Sequence, residues 1–82
     1  MAMKDVYLLE SLSDPARTYV GLTDNLCSRL SAHNAGQSAH TTRFKPWRVV
    51  TYIAFSDEKK AIAFERYLKT ASGRAFARKR LR

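Results

Sequence analysis

Arg29 and His33 stand four residues apart in the segment TDNLCSRLSAHNAG, so on a helix they share one face, a turn apart. A guanidinium suits a phosphate because its planar fork donates parallel hydrogen bonds and keeps its charge. An imidazole moves a proton near neutral pH. Tyr7 and Tyr19 add two phenols, each flanked by apolar strand-forming residues. A phenol has an ordinary pKa near ~10 and serves as a base at neutral pH only where cations favour the phenolate. Arg29 and a bound metal are neighbours of that kind. Glu65 lies beside the Ala61, Phe64 and Leu68 stripe, where a carboxylate is partly desolvated and needs a cation. It reads either as one half of an ion pair with a basic neighbour or as a ligand for Mg²⁺, which takes few protein carboxylates and keeps its waters. Taken singly, the Arg–His pair reads as a solvated helix face and the tyrosines as packing.

The elements that must position these groups follow from pattern. VYLLES, from Val6 to Ser11, is apolar on both faces, as a central strand is. Turn chemistry at Ser13, Asp14 and Pro15 leads into a second strand, TYVGL, so the two form a hairpin. Thr23 or Asp24 is a fitting N-cap for a helix that sets Leu26 and Leu30 on one face and stops at Asn34-Ala35-Gly36. After the irregular GQSAHTTRFKPW, the run RVVTYIAF, from Arg48 to Phe55, is the strongest strand. Ser56 and Asp57 cap a second helix with Ala61, Phe64, Leu68 and Ala71 at helical spacing. A break at Ser72-Gly73 precedes a short last helix. The order β-β-α-β-α-α predicts an α+β domain over residues 1–82, a three-stranded antiparallel sheet flanked by about three helices.

The chain has 82 residues, enough for one domain, and a formal net charge of +8, which attracts polyanions, nucleic acid first among them. Its single cysteine, Cys27, reads as packing beside Leu26 and excludes an intrachain disulfide. No apolar run approaches the ~20 residues of a membrane span, and a soluble, cytoplasmic protein is expected. In GRAFARKRLR, the cations Arg74, Arg78, Lys79 and Arg80 either complement the helix dipole in water or contact phosphates. Arg43 and Lys45, in the middle loop, are further candidate phosphate contacts. His40 reads as an ordinary loop residue and Trp47 as a core anchor behind Pro46.

In order along the chain, Asp5-Val6-Tyr7, Tyr19-Val20-Gly21, Arg29, His33, Pro46-Trp47 and Glu65 resemble the GIY-YIG nuclease family. The resemblance runs from about Lys4 to Arg80 and is nearest to small single-domain members similar to the GIY-YIG nuclease domain of the repair excinuclease. TYVGLTDNLCSRLSAHNAG and FERYLK with SGRAFARKRL carry it most specifically. It implies a metal-dependent endonuclease of the kind found in DNA repair, using Mg²⁺ or Mn²⁺. Its catalytic residues would be Tyr7, Tyr19, Arg29, His33 and Glu65, and its partner DNA, or RNA, held through the phosphate backbone. Tyr7 and Tyr19 would hold or deprotonate the attacking water, which phenol being left open. Arg29 would grip the scissile phosphate, Glu65 would hold the metal, and His33 would relay a proton or orient a tyrosine. The chain departs from the family pattern at Asp5, where the name-giving glycine is missing, and at Leu22, where several members have lysine. No asparagine follows Asn34. These departures fit a second reading, a basic nucleic-acid-binding module that keeps the fold without turnover. A third is a structural protein whose basic face meets a ribosome or another protein.

Overall fold

The computed structural model describes residues 3–82. Strands β1 (Lys4–Ser11) and β2 (Thr18–Thr23) form the hairpin, followed by helix α1 (Leu26–Asn34), a single 3₁₀ turn (Thr42–Phe44), strand β3 (Trp47–Phe55) and helices α2 (Glu58–Leu68) and α3 (Ala71–Arg80). The sheet is antiparallel in the order β2-β1-β3. β1 is therefore central, and its Val6, Tyr7, Leu8 and Leu9 are all buried. That is why VYLLES shows no alternation: both faces of the strand are covered.

Each face has its own core. Val6 and Leu8 pack with Ala61, Leu68 and Ala77 beneath α2 and α3. On the other face, Tyr7, Leu9 and Trp47 pack with Tyr19, Leu26, Leu30 and Phe44, beneath α1 and the 3₁₀ turn. A β-bulge makes β3 serve both. Leu8 pairs with Thr51 but Leu9 with Val49, leaving Val50 as the extra residue. Trp47 and Phe55 are eight apart, a spacing that regular alternation would put on one face. The bulge sends Trp47 to the α1 side and Phe55 to the α2–α3 side.

Three local expectations are corrected. The N-cap of α1 is Asn25, not Thr23 or Asp24: β2 runs on to Thr23, whose hydroxyl accepts the Asn25 N–H at 3.1 Å, and Asn25 Oδ1 accepts from Ser28 N at 3.0 Å. The break between α2 and α3 falls at Lys69-Thr70, not Ser72-Gly73. Thr70 caps α3 by accepting from Gly73 N at 3.1 Å, so Ala71 belongs to the new helix. Gly73 is helical and is needed for contact, since a Cβ there would lie 1.8 Å from the Tyr67 carbonyl oxygen. Cys27 is exposed and packs in neither core. No helix among the described residues is long and apolar enough to cross a membrane.

Candidate active site

Pairing fixes which side chains meet. Tyr7 lies opposite Gly21 and Leu9 opposite Tyr19, so both phenols project to the α1 face. Their rings are 6.3 Å apart. A Cβ at Gly21 would fall 2.2 Å from Tyr7 Oη, so the glycine of TYVGL is the space in which the Tyr7 phenol lies. That is a physical reason for a glycine two residues after the second tyrosine.

α1 then lays His33 over the pair. Its ring meets Tyr19 edge-on at 4.9 Å and is 2% exposed. His33 Nε2 is hydrogen-bonded to Tyr7 Oη at 3.0 Å, and Nδ1 to Thr41 Oγ1 at 2.6 Å. Neutral imidazole has one donor and one acceptor, so the chain Tyr7–His33–Thr41 conducts hydrogen bonds in one direction at a time. Burial, and then the Arg29 charge, hold the His33 pKa below its ordinary 6.5. The Tyr7 phenol is pushed up to about 12, chiefly by burial and then by Tyr19. Glu65 also raises it, while Arg29 acts in the opposite sense. Tyr7 is therefore a protonated phenol beside a neutral histidine.

Sequence reasoning does not single out Thr41, since a threonine in a polar loop carries no signal. It is fully buried, holds His33 through its hydroxyl and accepts the Trp47 Nε1–H through its carbonyl at 2.8 Å. Trp47, a core residue as its position suggests, is further fixed by Asn34, whose amide bonds its N–H and carbonyl at 2.6 and 3.1 Å. The end of α1, the middle loop and the start of β3 are thus tied to the histidine.

Arg29 is exposed on α1, and its charge reaches both Tyr7 and His33. Glu65 sits on α2, across the sheet from α1, with its side chain 16% exposed and paired to Lys69 at 2.5 Å. Its effect is the smallest of those that shift the Tyr7 phenol. Among the described residues no three His, Cys, Asp or Glu cluster for a metal. A single partly buried carboxylate is a donor of the kind that suits Mg²⁺ or Mn²⁺, which are commonly held by one or two carboxylates and their waters, though here Lys69 occupies it. Asp5 pairs with Thr23 and Ala54, and no non-glycine residue described has positive φ, so the absent glycine leaves β1 unstrained. Leu22 packs toward α2 and α3. Of the candidate phosphate contacts, Arg74 and Arg78 line one cleft together, and Lys79, Arg80, Arg43 and Lys45 lie exposed outside it.

The GIY-YIG catalytic domain model matches residues 3–80. The chain belongs to the GIY-YIG family. Over 60 residues it is 40% identical to the structure-specific endonuclease subunit SLX1 homolog of Giardia intestinalis, covering 68% of this chain and 17% of that protein. A UPF0213 protein of Lactiplantibacillus plantarum is 35% identical over 74 residues, 87% of this chain and 73% of its own length. Another, from Lacticaseibacillus paracasei, is 34% identical over 70 residues, 84% and 79% respectively. The GIY-YIG domain here therefore spans under a fifth of the endonuclease subunit but most of the UPF0213 proteins.

Proposed function

We propose that this GIY-YIG domain is a divalent-metal-dependent endonuclease that hydrolyses phosphodiester bonds in DNA. The observation that carries the reading is the buried Tyr7–His33–Thr41 chain beside Tyr19, on which the Arg29 and Glu65 charges act. A phenol with its pKa pushed up to about 12 is a poor base alone. It becomes effective if its proton leaves as another arrives. A water at Tyr7 Oη passes a proton to that oxygen while the phenol proton moves to His33 Nε2, the neutral acceptor. Nδ1–H meanwhile donates to Thr41 Oγ1. Tyr19 confines the water, and Arg29 binds the phosphate oxygens on which negative charge grows. Glu65 would hold the metal, which when bound supplies Lewis-acid stabilisation of the leaving oxygen.

The non-catalytic module remains the second reading, favoured by Leu22 and by Lys69 already neutralising Glu65. Plasmid nicking at low salt, with Mg²⁺, Mn²⁺ or chelator, separates the two. The wild type is expected to nick only with metal. Glu65→Ala and Arg29→Ala should each lose ~100-fold or more in cleavage, a typical cost of removing transition-state charge stabilisation. Their DNA affinity should change little, since one charge out of a net +8 is a small part of the field. Tight binding without nicking by the wild type would establish the module instead.

A further inference from the structure

The ion pair of Glu65 with Lys69 stands between the candidate metal carboxylate and any metal. An acid followed four residues later by a base is the favoured order for such a pair on a helix. In its common form the pair lies in open water and contributes little. Here the two ends differ. The Glu65 side chain is 16% exposed and that of Lys69 53%, so a recessed carboxylate is held by an arm that reaches in from solvent.

That arm can leave without the backbone moving. Lys69 is the C-cap of α2, its N–H fixed to the Arg66 carbonyl at 3.1 Å, and Thr70 caps α3 directly after it. A lysine carries a compact charge with three donors on a flexible stem, and it changes acceptor without the alignment a guanidinium fork requires.

A second acceptor has a place to arrive. Lys69 lines a cleft of ≈ 500 Å³ between β2 and α3 together with Arg74 and Arg78, and no described carboxylate lines it. Arg17 and Arg82 line it too, but each lies near an acid of its own, Asp14 and Glu10. Arg74 and Arg78 have no ion-pair partner among the described residues. An anion drawn to those two arginines arrives beside Lys69. One side chain thus stands between a recessed acid and a basic concavity.

An ammonium and a divalent cation compete for the same carboxylate oxygens and repel each other. Lys69 on Glu65 therefore lowers metal affinity, and an anion that takes the ammonium restores it. Linkage makes the effect reciprocal: bound metal frees Lys69 and raises affinity for the anion by the same factor.

We propose that Lys69 is a latch on Glu65, keeping divalent metal off the free protein and opening when a phosphate group in the neighbouring cleft takes its ammonium. The inference rests on Glu65 as the metal's carboxylate, which belongs to the nuclease reading, but its test reads metal binding rather than cleavage.

The test is titration of the full chain with Mn²⁺, the unbound ion being followed by electron paramagnetic resonance. In the free protein, Lys69→Met is expected to bind Mn²⁺ about fivefold more tightly than the wild type. That lies between the small effect of an exposed ion pair and the larger one of a hydrogen bond to a buried charge. Lys69→Arg keeps the charge and the reach, and should bind as weakly as the wild type. Arg66→Met removes one charge from an exposed neighbouring position of α2 that has no ion-pair partner among the described residues, and should change affinity by less than about twofold. Glu65→Gln/Lys69→Met should lose the gain.

The titrations are then repeated with a short DNA strand of phosphorothioate linkages, which resist cleavage, after subtraction of Mn²⁺ bound by the strand alone. Wild-type affinity should rise to that of Lys69→Met, whose own rise is smaller. Equal Mn²⁺ affinity of wild type and Lys69→Met in the free protein would overturn the latch. So would an equal gain in Arg66→Met, a gain that survives Glu65→Gln, or the same rise with DNA in both proteins. Nicking without any effect of Lys69→Met on Mn²⁺ would sink only the latch; the expected Mn²⁺ pattern without nicking would sink only the nuclease.

Discussion

His33 is the residue whose type is legible and whose setting is not. Spacing alone puts it on a helix face with Arg29, and such a pair is ordinarily solvated. Burial follows only because Thr41, a loop residue eight positions on, takes Nδ1 while Tyr7 takes Nε2. No local pattern encodes that meeting. Its consequence is a pH dependence of known sign. The folded pKa lies below the unfolded 6.5, so on acidification the unfolded chain takes the proton first. Stability from this group is whole above about 6.5 and is lost as the pH falls toward the lowered folded value. We expect urea unfolding to weaken between neutral pH and the carboxylate range, and His33→Gln to flatten that segment of the curve. An NMR titration identifies the cause. Arg29→Ala should move the His33 pKa upward yet leave it below 6.5, because burial is the larger effect. Full return to 6.5 would make Arg29 the main cause.

Among the elements, the runs of strand and helix formers are legible, and so is the centrality of β1. The junctions are not. Gly73 reads as a breaker because glycine usually is one, yet the capping hydroxyl of Thr70 ends the turn three residues earlier. The bulge at Val50 is hidden inside an uninterrupted β-branched run, since its cause is the need for Trp47 and Phe55 on opposite faces. Gly21 and Gly73 then separate function from folding. At Gly21→Ala the new methyl meets the far end of the Tyr7 side chain, which can shift, so a cost of about 1–3 kcal/mol is expected. The displaced phenol would lose His33, and nicking should fall further than stability does. At Gly73→Ala the obstacle is the Tyr67 backbone carbonyl, which cannot rotate away. Urea denaturation should therefore show the larger destabilisation at Gly73 and the larger activity loss per unit of stability at Gly21. The reverse ordering would mean that Tyr7 is not held by the space over Gly21.

For the molecule as a whole, the net charge favours a polyanion partner, and the fold adds direction to it. A net charge of +8 would attract DNA from any side if evenly spread. Lys69, Arg74 and Arg78 instead gather along one cleft beside β2, while Arg29 is exposed on α1. Long-range attraction and local chemistry should then respond differently to salt. Each duplex phosphate contact contributes ~0.9 to the salt slope, so about four contacts would cost ~100-fold in affinity between 50 and 200 mM salt. The Glu65 carboxylate is only 16% exposed, where ions screen less than they do at exposed sites. Single-turnover cleavage at saturating protein should consequently change little over the same range, while the protein concentration giving half the maximal rate rises steeply. A rate that fell in step with affinity would mean that salt screens Glu65 as it screens an exposed charge, and an affinity indifferent to salt would remove phosphate contact as the basis of binding.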